Sequence, residues 1–184
     1  MTSRRAVFGL MGLSLGLMVA CGPAKPANVP EGGGSSNNAG DGGKKAPEVA
    51  GVYVGGDGPA TIADAAGQVI IVDFWATYCE PCKKSFPMYQ ELVDKHAGAV
   101  VVIGVSVDDP EDVSQDDIKA FATELNVTFP IVWDKEHKTA EAYKPPKMPT
   151  SYVIDKSGNI RHVHSGYSPS EAEEIANEVD ELLK

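Results

Sequence analysis

The segment "DFWATYCEPCKKSFP", residues 73–87, places Cys79 and Cys82 between a strand-like run and a helix-like run. The run "QVIIVDFW", residues 68–75, is apolar and interrupted by Asp73, which is typical of a strand buried on both faces. After the cysteines, apolar side chains recur at helical spacing. The segment therefore predicts a strand, a short turn and a helix, with the two cysteines where the helix begins.

The rest of the chain alternates strands and helices. An N-terminal strand is expected within 49–54, and Ser114 and Ser168 are expected to cap two helices. The order after the N-terminal strand is β-α-β-α-β-α-β-β-α, and the last two strands flank the turn "KSGN" as an antiparallel hairpin. The pattern predicts an α/β fold with a central mixed sheet flanked by helices. The other predicted strands are 99–107, 128–134, 150–155 and 160–166. The predicted helices are 80–96, 135–143, one that follows the Ser114 cap and stops at Asn126, and one that begins at Pro169 after the Ser168 cap and runs to 184.

Residues 1–20 have the layout of an export signal, and we interpret them as a lipoprotein signal peptide. Arg4 and Arg5 precede an uncharged apolar run that ends at Ala20, and this run is short for the roughly 20 residues that span a bilayer. The segment "MVAC" resembles the lipobox of bacterial lipoproteins, which predicts lipidation of Cys21. A plain signal peptide and an uncleaved anchor are the alternatives, and all three place the protein outside the cytoplasm.

Residues 21–45 are rich in Gly, Ser, Asn and Pro and have almost no large apolar side chains. They predict a flexible tether from the lipidated Cys21 to a folded domain at 46–184. The formal net charge of −10 repels nucleic acid, so no nucleic-acid partner is expected. The bilayer, reached through Cys21, is an expected partner.

The chain has three cysteines. With Cys21 assigned to lipid, Cys79 and Cys82 remain, and so short a loop gains little chain-entropy stabilisation from a disulfide. A zinc site needs further ligands, and a haem attachment site needs His directly after the second cysteine, where this chain has lysine. His162 and His164 alternate onto one face of a strand, and we interpret them as a half-exposed surface pair rather than metal ligands.

The cysteine pair is therefore expected to be a redox centre that needs no bound cofactor. Cys79 should lie where the helix dipole and unpaired N–H groups favour an anion, which makes it the expected nucleophile. Cys82, one turn further on, should be more buried and resolve the mixed disulfide. Pro81 suits the first helical turn, and the charge of Glu80 should oppose thiolate formation and adjust the potential.

The segment "VDFWATYCEPCKKSFP" resembles the active site of thioredoxin-fold proteins. Its CEPC pair and the flanking "FWATYC" are most similar to the TlpA/ResA/CcmG group of membrane-tethered thiol-disulfide oxidoreductases. The resemblance runs from Ala46 to the C-terminus. It implies a thioredoxin fold with an N-terminal β extension and a central insert, and an enzyme that reduces disulfides outside the cytoplasm, often in cytochrome c maturation.

A second motif, "KMPTSYVID" at residues 147–155, carries the same resemblance. Thioredoxin-like proteins have a cis-proline before the strand that faces the cysteine pair, although cis bonds are a minority state in X-Pro pairs. Pro149 matches this proline, with Met148 before it and Thr150 after it. In the family this segment pairs with the extended chain of the substrate, so these three residues are expected to bind substrate.

The resemblance gives four further candidates. Asp73 matches the buried acid of thioredoxins, and burial should raise its pKa and let it act as a general base for the resolving cysteine, with a purely structural polar residue as the alternative. Asp109 matches an acidic residue near the active site of ResA-like proteins and is expected to adjust the potential, although Asp108 competes for this alignment and a solvated loop acid is the alternative. Trp75 is expected to be either packing or a substrate contact, and Tyr78 to belong to the partner-docking surface.

These observations together predict a lipid-anchored, monomeric reductase of protein disulfides, supplied by a thiol-type electron donor in the membrane. The tether would raise the effective concentration of the domain near that donor. A disulfide-forming oxidase or isomerase stays open, because the choice depends on the reduction potential. A peroxiredoxin-like peroxidase is a weaker alternative, since Thr77 lies one residue too close to Cys79 for a Pro-x-x-x-Thr-x-x-Cys pattern and no proline precedes it.

Overall fold

The computed structural model describes residues 43–184. The predicted signal peptide at 1–20, the predicted lipidation site Cys21 and nearly all of the predicted tether lie outside these residues. Within the described part of the chain, no helix combines the length and the apolar character that crossing a bilayer requires.

The described chain forms six strands and four helices in the predicted order. The N-terminal extension contributes one strand, and the segment between the third and fifth strands contains two helices and a short strand. The elements are β1 (Val52–Gly55), β2 (Val69–Trp75), α1 (Glu80–Lys95), β3 (Val100–Ser106), α2 (Gln115–Glu124), β4 (Ile131–Trp133), α3 (Lys138–Tyr143), β5 (Thr150–Ile154), β6 (Ile160–Ser165) and α4 (Pro169–Leu183).

The six strands form one mixed sheet in the order β1-β4-β3-β2-β5-β6. β2, β3 and β4 are parallel, while β1, β5 and β6 each run antiparallel to the neighbour on which they pair. The carboxyl ends of β2, β3 and β4 therefore meet the start of β5 at one edge, which we call the carboxyl edge. The antiparallel hairpin of β5 and β6 confirms the sequence prediction.

β2 is the centre of the core, because all seven of its residues are buried. Successive side chains of a strand point to opposite faces. One set, which includes Trp75, packs with α1, α2 and α4, and the other, which includes Phe74, packs with α3 and the N-terminal segment. The continuous apolar run of β2 thus reflects a layer of helices or chain on both sides of the sheet.

Two helices begin at the caps that the sequence predicts. The Ser114 hydroxyl accepts a hydrogen bond from the Asp117 amide at 3.3 Å, and the Asp117 carboxylate accepts one from the Ser114 amide at 2.8 Å. The Ser168 hydroxyl accepts a bond from the Glu171 amide at 3.2 Å. Both cap predictions are confirmed.

Gly104 in β3 allows a close approach between the sheet and the aromatic side chains above it. A Cβ at this position would lie 2.8 Å from Ile131 Cδ1, 3.2 Å from Trp75 Nε1 and 3.3 Å from Phe129 Cε2. All three neighbours are buried, so none can move freely away.

We predict that Gly104→Ala lowers the free energy of unfolding by about 1–3 kcal/mol through overpacking. The measurement is urea denaturation followed by tryptophan fluorescence. Gly55→Ala is the matched control, because a Cβ at Gly55 would meet no atom within 4 Å. Equal stability of the two variants would contradict the packing argument.

Candidate active site

Cys79 is the N-cap residue of α1, and the helix begins at Glu80. The Cys79 amide donates to the Ala76 carbonyl at 3.0 Å, so a tight turn follows the end of β2. No side chain caps the helix, and Pro81 lies in its first turn. The positive end of the helix dipole therefore lies at Cys79, as the sequence predicts, while the Cys82 amide in the first turn donates to the Cys79 carbonyl at 3.1 Å.

The structure holds Cys79 and Cys82 as a disulfide, with their Cα atoms 5.3 Å apart. Cys79 is 6% exposed and Cys82 is fully buried. A thiol or disulfide from another molecule therefore reaches the sulfur of Cys79 before that of Cys82. This order agrees with the predicted roles of nucleophile and resolving thiol.

Ser85 is a residue near the pair that the sequence analysis did not select. It is fully buried, and its hydroxyl donates to the Cys82 carbonyl at 3.1 Å. The bond spans one helical turn and satisfies the hydroxyl without a partner from outside α1. Its position beneath Cys82 indicates a packing role at the base of the redox pair.

Asp73 lies fully buried in β2 within a three-residue hydrogen-bond network. Its Oδ1 lies 2.9 Å from the Ser151 hydroxyl oxygen and 3.1 Å from the Tyr89 hydroxyl oxygen, and these two hydroxyls also lie within hydrogen-bond distance of each other, so two hydroxyl hydrogens serve three contacts. Oδ2 has no hydrogen-bond partner among the described residues. Ser151 and Tyr89 were missed because they come from β5 and α1, far from Asp73 in sequence.

Burial raises the pKa of Asp73 from 3.8 to about 7, and the hydrogen bonds from Ser151 and Tyr89 oppose the rise without cancelling it. Burial, followed by the charge of Asp73, also raises the pKa of Tyr89 well above its ordinary value, so its hydroxyl stays a proton donor. The predicted rise in the Asp73 pKa is confirmed. Its role as a general base stays a prediction.

Asp108, which is almost fully buried, holds the turn that precedes Cys79. Both of its carboxylate oxygens lie 3.0 Å from the Thr77 amide nitrogen, which donates to them, and Oδ1 also accepts the Thr77 hydroxyl at 2.7 Å. Oδ2 accepts the Ser106 hydroxyl at 2.8 Å. The carboxylate therefore ties the end of β3 to the turn that follows β2.

Asp109 occupies a different environment from the one expected for a residue that adjusts the potential. Its side chain is exposed, and its Oδ1 accepts a bond from the Glu111 amide at 2.9 Å in the turn after β3. The structure therefore places Asp108, rather than Asp109, against the active-site turn. Because side chains alternate along an extended chain, Asp108 shares a side with Ser106 and Asp109 does not.

The Met148–Pro149 peptide bond is cis, as the motif predicts. Pro149 directly precedes β5, whose first residue, Thr150, pairs with Phe74 near the end of β2. The proline thus lies at the carboxyl edge on the strand next to the cysteine turn. Thr150 is fully buried, with its hydroxyl donating to the Lys147 carbonyl at 2.6 Å, so its side chain shapes the loop rather than facing a substrate.

The two flanking aromatic residues have opposite environments. Trp75 is fully buried and stacks on Phe121 at a centroid distance of 4.7 Å, which favours the packing interpretation over a substrate contact. Tyr78 is 70% exposed beside Cys79, as a docking residue would be. Glu80 is also exposed, and it pairs with Lys83 at 2.8 Å, which offsets part of its charge near the sulfurs.

His162 and His164 contact one carboxylate of α4 instead of forming a half-exposed surface pair. His164 is 7% exposed, and its Nε2 lies 2.7 Å from Glu178 Oε2, while His162 Nδ1 lies 2.9 Å from Oε1. Burial opposes protonation of His164, but the hydrogen bond to Glu178 and nearby acids raise its pKa above the ordinary value. Residues 43–184 contain no group of three or more His, Cys, Asp or Glu side chains suited to a metal ion.

We predict that Asp73→Asn removes a pH dependence of stability. The folded-state pKa lies above the unfolded value, so the stability contributed by the protonated carboxyl is fully present below pH 3.8 and is lost as the pH rises to about 7. Relative to the parent, the variant should gain up to about 4 kcal/mol between pH 4 and pH 8. Denaturant unfolding at both pH values measures this, with Asp64→Asn at an exposed position as the charge control. A constant difference between variant and parent would show that Asp73 does not titrate in this range.

We predict that Asp108→Asn lowers the free energy of unfolding by about 1–3 kcal/mol, because one acceptor of buried hydrogen bonds is lost. The rate of thiol-disulfide exchange at Cys79 should fall on the order of tenfold, since the turn that presents it loosens. Asp109→Asn is the matched control and should change neither quantity. A larger effect at Asp109 would reverse our assignment of the two acids.

Comparison with known proteins places these features in a family. The chain is 32% identical over 124 residues to the thioredoxin-like protein YneN of Bacillus subtilis, covering 67% of this chain and 71% of YneN. It is 32% identical over 107 residues to the thiol-disulfide oxidoreductase ResA of Geobacillus kaustophilus, covering 57% of this chain and 59% of ResA. The match thus leaves about two-fifths of that ResA without a counterpart.

A solved structure shows the same fold. The crystal structure of a candidate thiol:disulfide interchange protein DsbE from Chlorobium tepidum superposes with a TM-score of 0.67 at 29% identity, covering 77% of this chain and 97% of that one. The mixed sheet and its four helices are therefore a thioredoxin-like fold. The AhpC/TSA family profile matches residues 43–163. The match covers more than half of the chain, which therefore belongs to the AhpC/TSA family of thioredoxin-like proteins.

Proposed function

We propose that this chain is an extracytoplasmic, membrane-tethered thiol-disulfide oxidoreductase that reduces protein disulfides. The observation that carries the proposal is the placement of the two cysteines, with Cys79 6% exposed at the N-cap of α1 and Cys82 fully buried one turn later. Similarity to proteins named thiol-disulfide oxidoreductases supports the reaction class. The resemblance to the TlpA/ResA/CcmG group supports the reducing direction.

The reaction needs only the two thiols. In the reduced chain the Cys79 thiolate attacks one sulfur of the substrate disulfide, whose S–S bond breaks, and the other substrate sulfur leaves as a thiolate that takes up a proton. Cys82 then loses its proton, attacks Sγ of Cys79 and displaces the second substrate thiol. Two electrons pass to the substrate, and the pair becomes the disulfide that the structure holds.

Asp73 is the group that we propose as the acceptor of the Cys82 proton. Its pKa of about 7 lets the carboxyl take up and release a proton near neutral pH. The Oδ2 atom, which has no hydrogen-bond partner among the described residues, is free to hold that proton, while Oδ1 is occupied by Ser151 and Tyr89. The network would fix the orientation of the carboxyl during the transfer.

The proposed setting follows from the N-terminal sequence. Residues 1–20 direct export, lipid on Cys21 anchors the chain, and the tether lets a monomeric domain reach both its substrates and a thiol-type donor in the membrane. The donor returns the Cys79–Cys82 disulfide to the dithiol after each cycle. Apocytochrome c is one substrate that the resemblance suggests, and reduction of an oxidised Cys-x-x-Cys-His peptide would test it.

We predict that Cys79→Ser lowers disulfide reductase activity on the order of a thousandfold or more, because the nucleophile is lost. Cys82→Ser should instead accumulate the mixed disulfide at Cys79, which gel electrophoresis under non-reducing conditions detects. Full activity of Cys79→Ser would contradict the proposal.

The direction of electron flow is tested by equilibrating the Cys79/Cys82 pair of the full chain with redox buffers of known potential. A value near or below about −250 mV, close to thioredoxin, is the expected result for a reductase. A value near about −120 mV, close to DsbA, would mean that the chain forms disulfides instead.

A further inference from the structure

We propose that the rim around Cys79 is electrostatically polarised, and that it selects polypeptide disulfides whose cysteine has acidic residues on one side, held by Lys144 and Lys147. The inference rests on the proposed function, since it names the substrate class of the same site. It concerns residues that take no part in the exchange chemistry. Four observations carry it: strand order, the position of Lys147, the rigidity of its loop and the distribution of charge.

The strand order places two loops of opposite charge on either side of the cysteine turn. β3, β2 and β5 are consecutive in the sheet. At the carboxyl edge, the turn after β3 carries 109–112, the turn after β2 carries Cys79, and the loop before β5 carries 144–149. A substrate segment that crosses Cys79 perpendicular to the strands therefore meets the turn 109–112 on one side and the loop 144–149 on the other.

Lys147 lies beside the cis-proline. The Gly166 amide donates to the Pro149 carbonyl at 2.8 Å, which joins the end of β6 to this loop. The ammonium of Lys147 lies over Gly166, where an added Cβ would come within 3.2 Å of Nζ. The absence of a side chain at Gly166 gives the ammonium this position.

The loop that presents the two lysines is held in place by its own bonds. Pro145, Pro146 and Pro149 restrict its backbone. The Lys147 carbonyl accepts the Thr150 hydroxyl at 2.6 Å, and the Lys144 amide donates to the Ala140 carbonyl at 2.7 Å at the end of α3. Charges on a fixed backbone bind at a lower entropy cost than charges on a flexible loop.

The basic charge of this loop is not cancelled by an ion pair. Lys144 and Lys147 are exposed, and neither forms an ion pair with any residue in the range 43–184. Lys83, the cation of α1 closest to Cys79 in sequence, is by contrast paired with Glu80. Two lysines without an ion pair in one loop contrast with the net charge of −10 of the whole chain.

The turn on the other side of Cys79 is acidic. Asp109, Glu111 and Asp112 are exposed, and none of them forms an ion pair within the described residues. The side-chain charge of the flanking loops therefore differs in sign, with acids in the turn after β3 and two lysines in the loop before β5. The acidic turn repels an acidic flank, while the two lysines attract it, so the polarity also fixes which way the substrate segment lies.

The experiment uses pairs of peptides that share one cysteine, held in a mixed disulfide with a chromogenic thiol. Two aspartates or two lysines flank the cysteine, on its N-terminal or its C-terminal side. The second-order rate constant is measured with the reduced full chain at low and high ionic strength. We expect one aspartate-flanked peptide to react three- to tenfold faster than its lysine counterpart at low salt, and the difference to shrink near 0.5 M salt, where charges are strongly screened.

The double variant Lys144→Glu/Lys147→Glu should abolish or reverse this preference. The control Lys44→Glu/Lys184→Glu makes the same charge change at two exposed lysines away from the carboxyl edge, and it should keep the preference. Equal rates for the aspartate and lysine peptides, or a preference that survives in the first variant, would overturn the inference.

Two further arms separate this inference from the proposed function. Reduction of the neutral 2-hydroxyethyl disulfide measures the basal exchange rate of the parent and of each variant, and each peptide rate is divided by it, so that a change in the reactivity of the Cys79 thiolate is separated from charge recognition. If the parent reduces neither this compound nor any peptide, the reducing function fails. In that case the charge preference is tested by measuring how fast the oxidised chain oxidises dithiol versions of the same peptides. The same ranking of the rates is expected.

Discussion

One buried carboxylate fixes the geometry on which the redox pair depends. Asp108 leaves the end of β3 and accepts both the amide and the hydroxyl of Thr77, so two parallel strands are joined immediately before Cys79. Cys79 is the N-cap residue of α1, and a shift of the turn would move its sulfur away from the positive end of the helix dipole. The favourable field at the sulfur is therefore a property of the sheet edge as much as of the helix.

The local sequence pattern was sufficient to predict the strand, turn and helix that hold the two cysteines. A buried apolar strand, a turn and Pro81 in a first helical turn are decided by neighbouring residues, and the structure begins α1 where they predict. The burial of Trp75 could also be predicted from the sequence, because Trp75 lies in a strand that is apolar on both faces. The cis bond before Pro149 came from the motif rather than from any local preference.

Contacts between segments that are distant in the chain could not be predicted from the sequence pattern. Asp108 and Asp109 are adjacent and chemically alike. Only the direction in which each side chain points after β3 decides that Asp108 contacts the turn before Cys79. Ser151 joins Asp73 through strand pairing between β5 and β2, which no spacing along the chain reveals. The contact of His164 with Glu178 likewise depends on how α4 lies against β6.

The position of β1 has a consequence for association between molecules. This strand pairs with β4, which has only three residues, through contacts such as Val52 with Trp133 that join distant parts of the chain. Without it, β4 would present unpaired N–H and C=O groups, and such an edge recruits strands from other molecules. β1 is itself an edge of the sheet, but it is only four residues long and its register shifts between Tyr53 and Gly55. The first strand of the domain thus replaces the edge of β4 with a short, irregular edge that offers little template to a strand from another molecule.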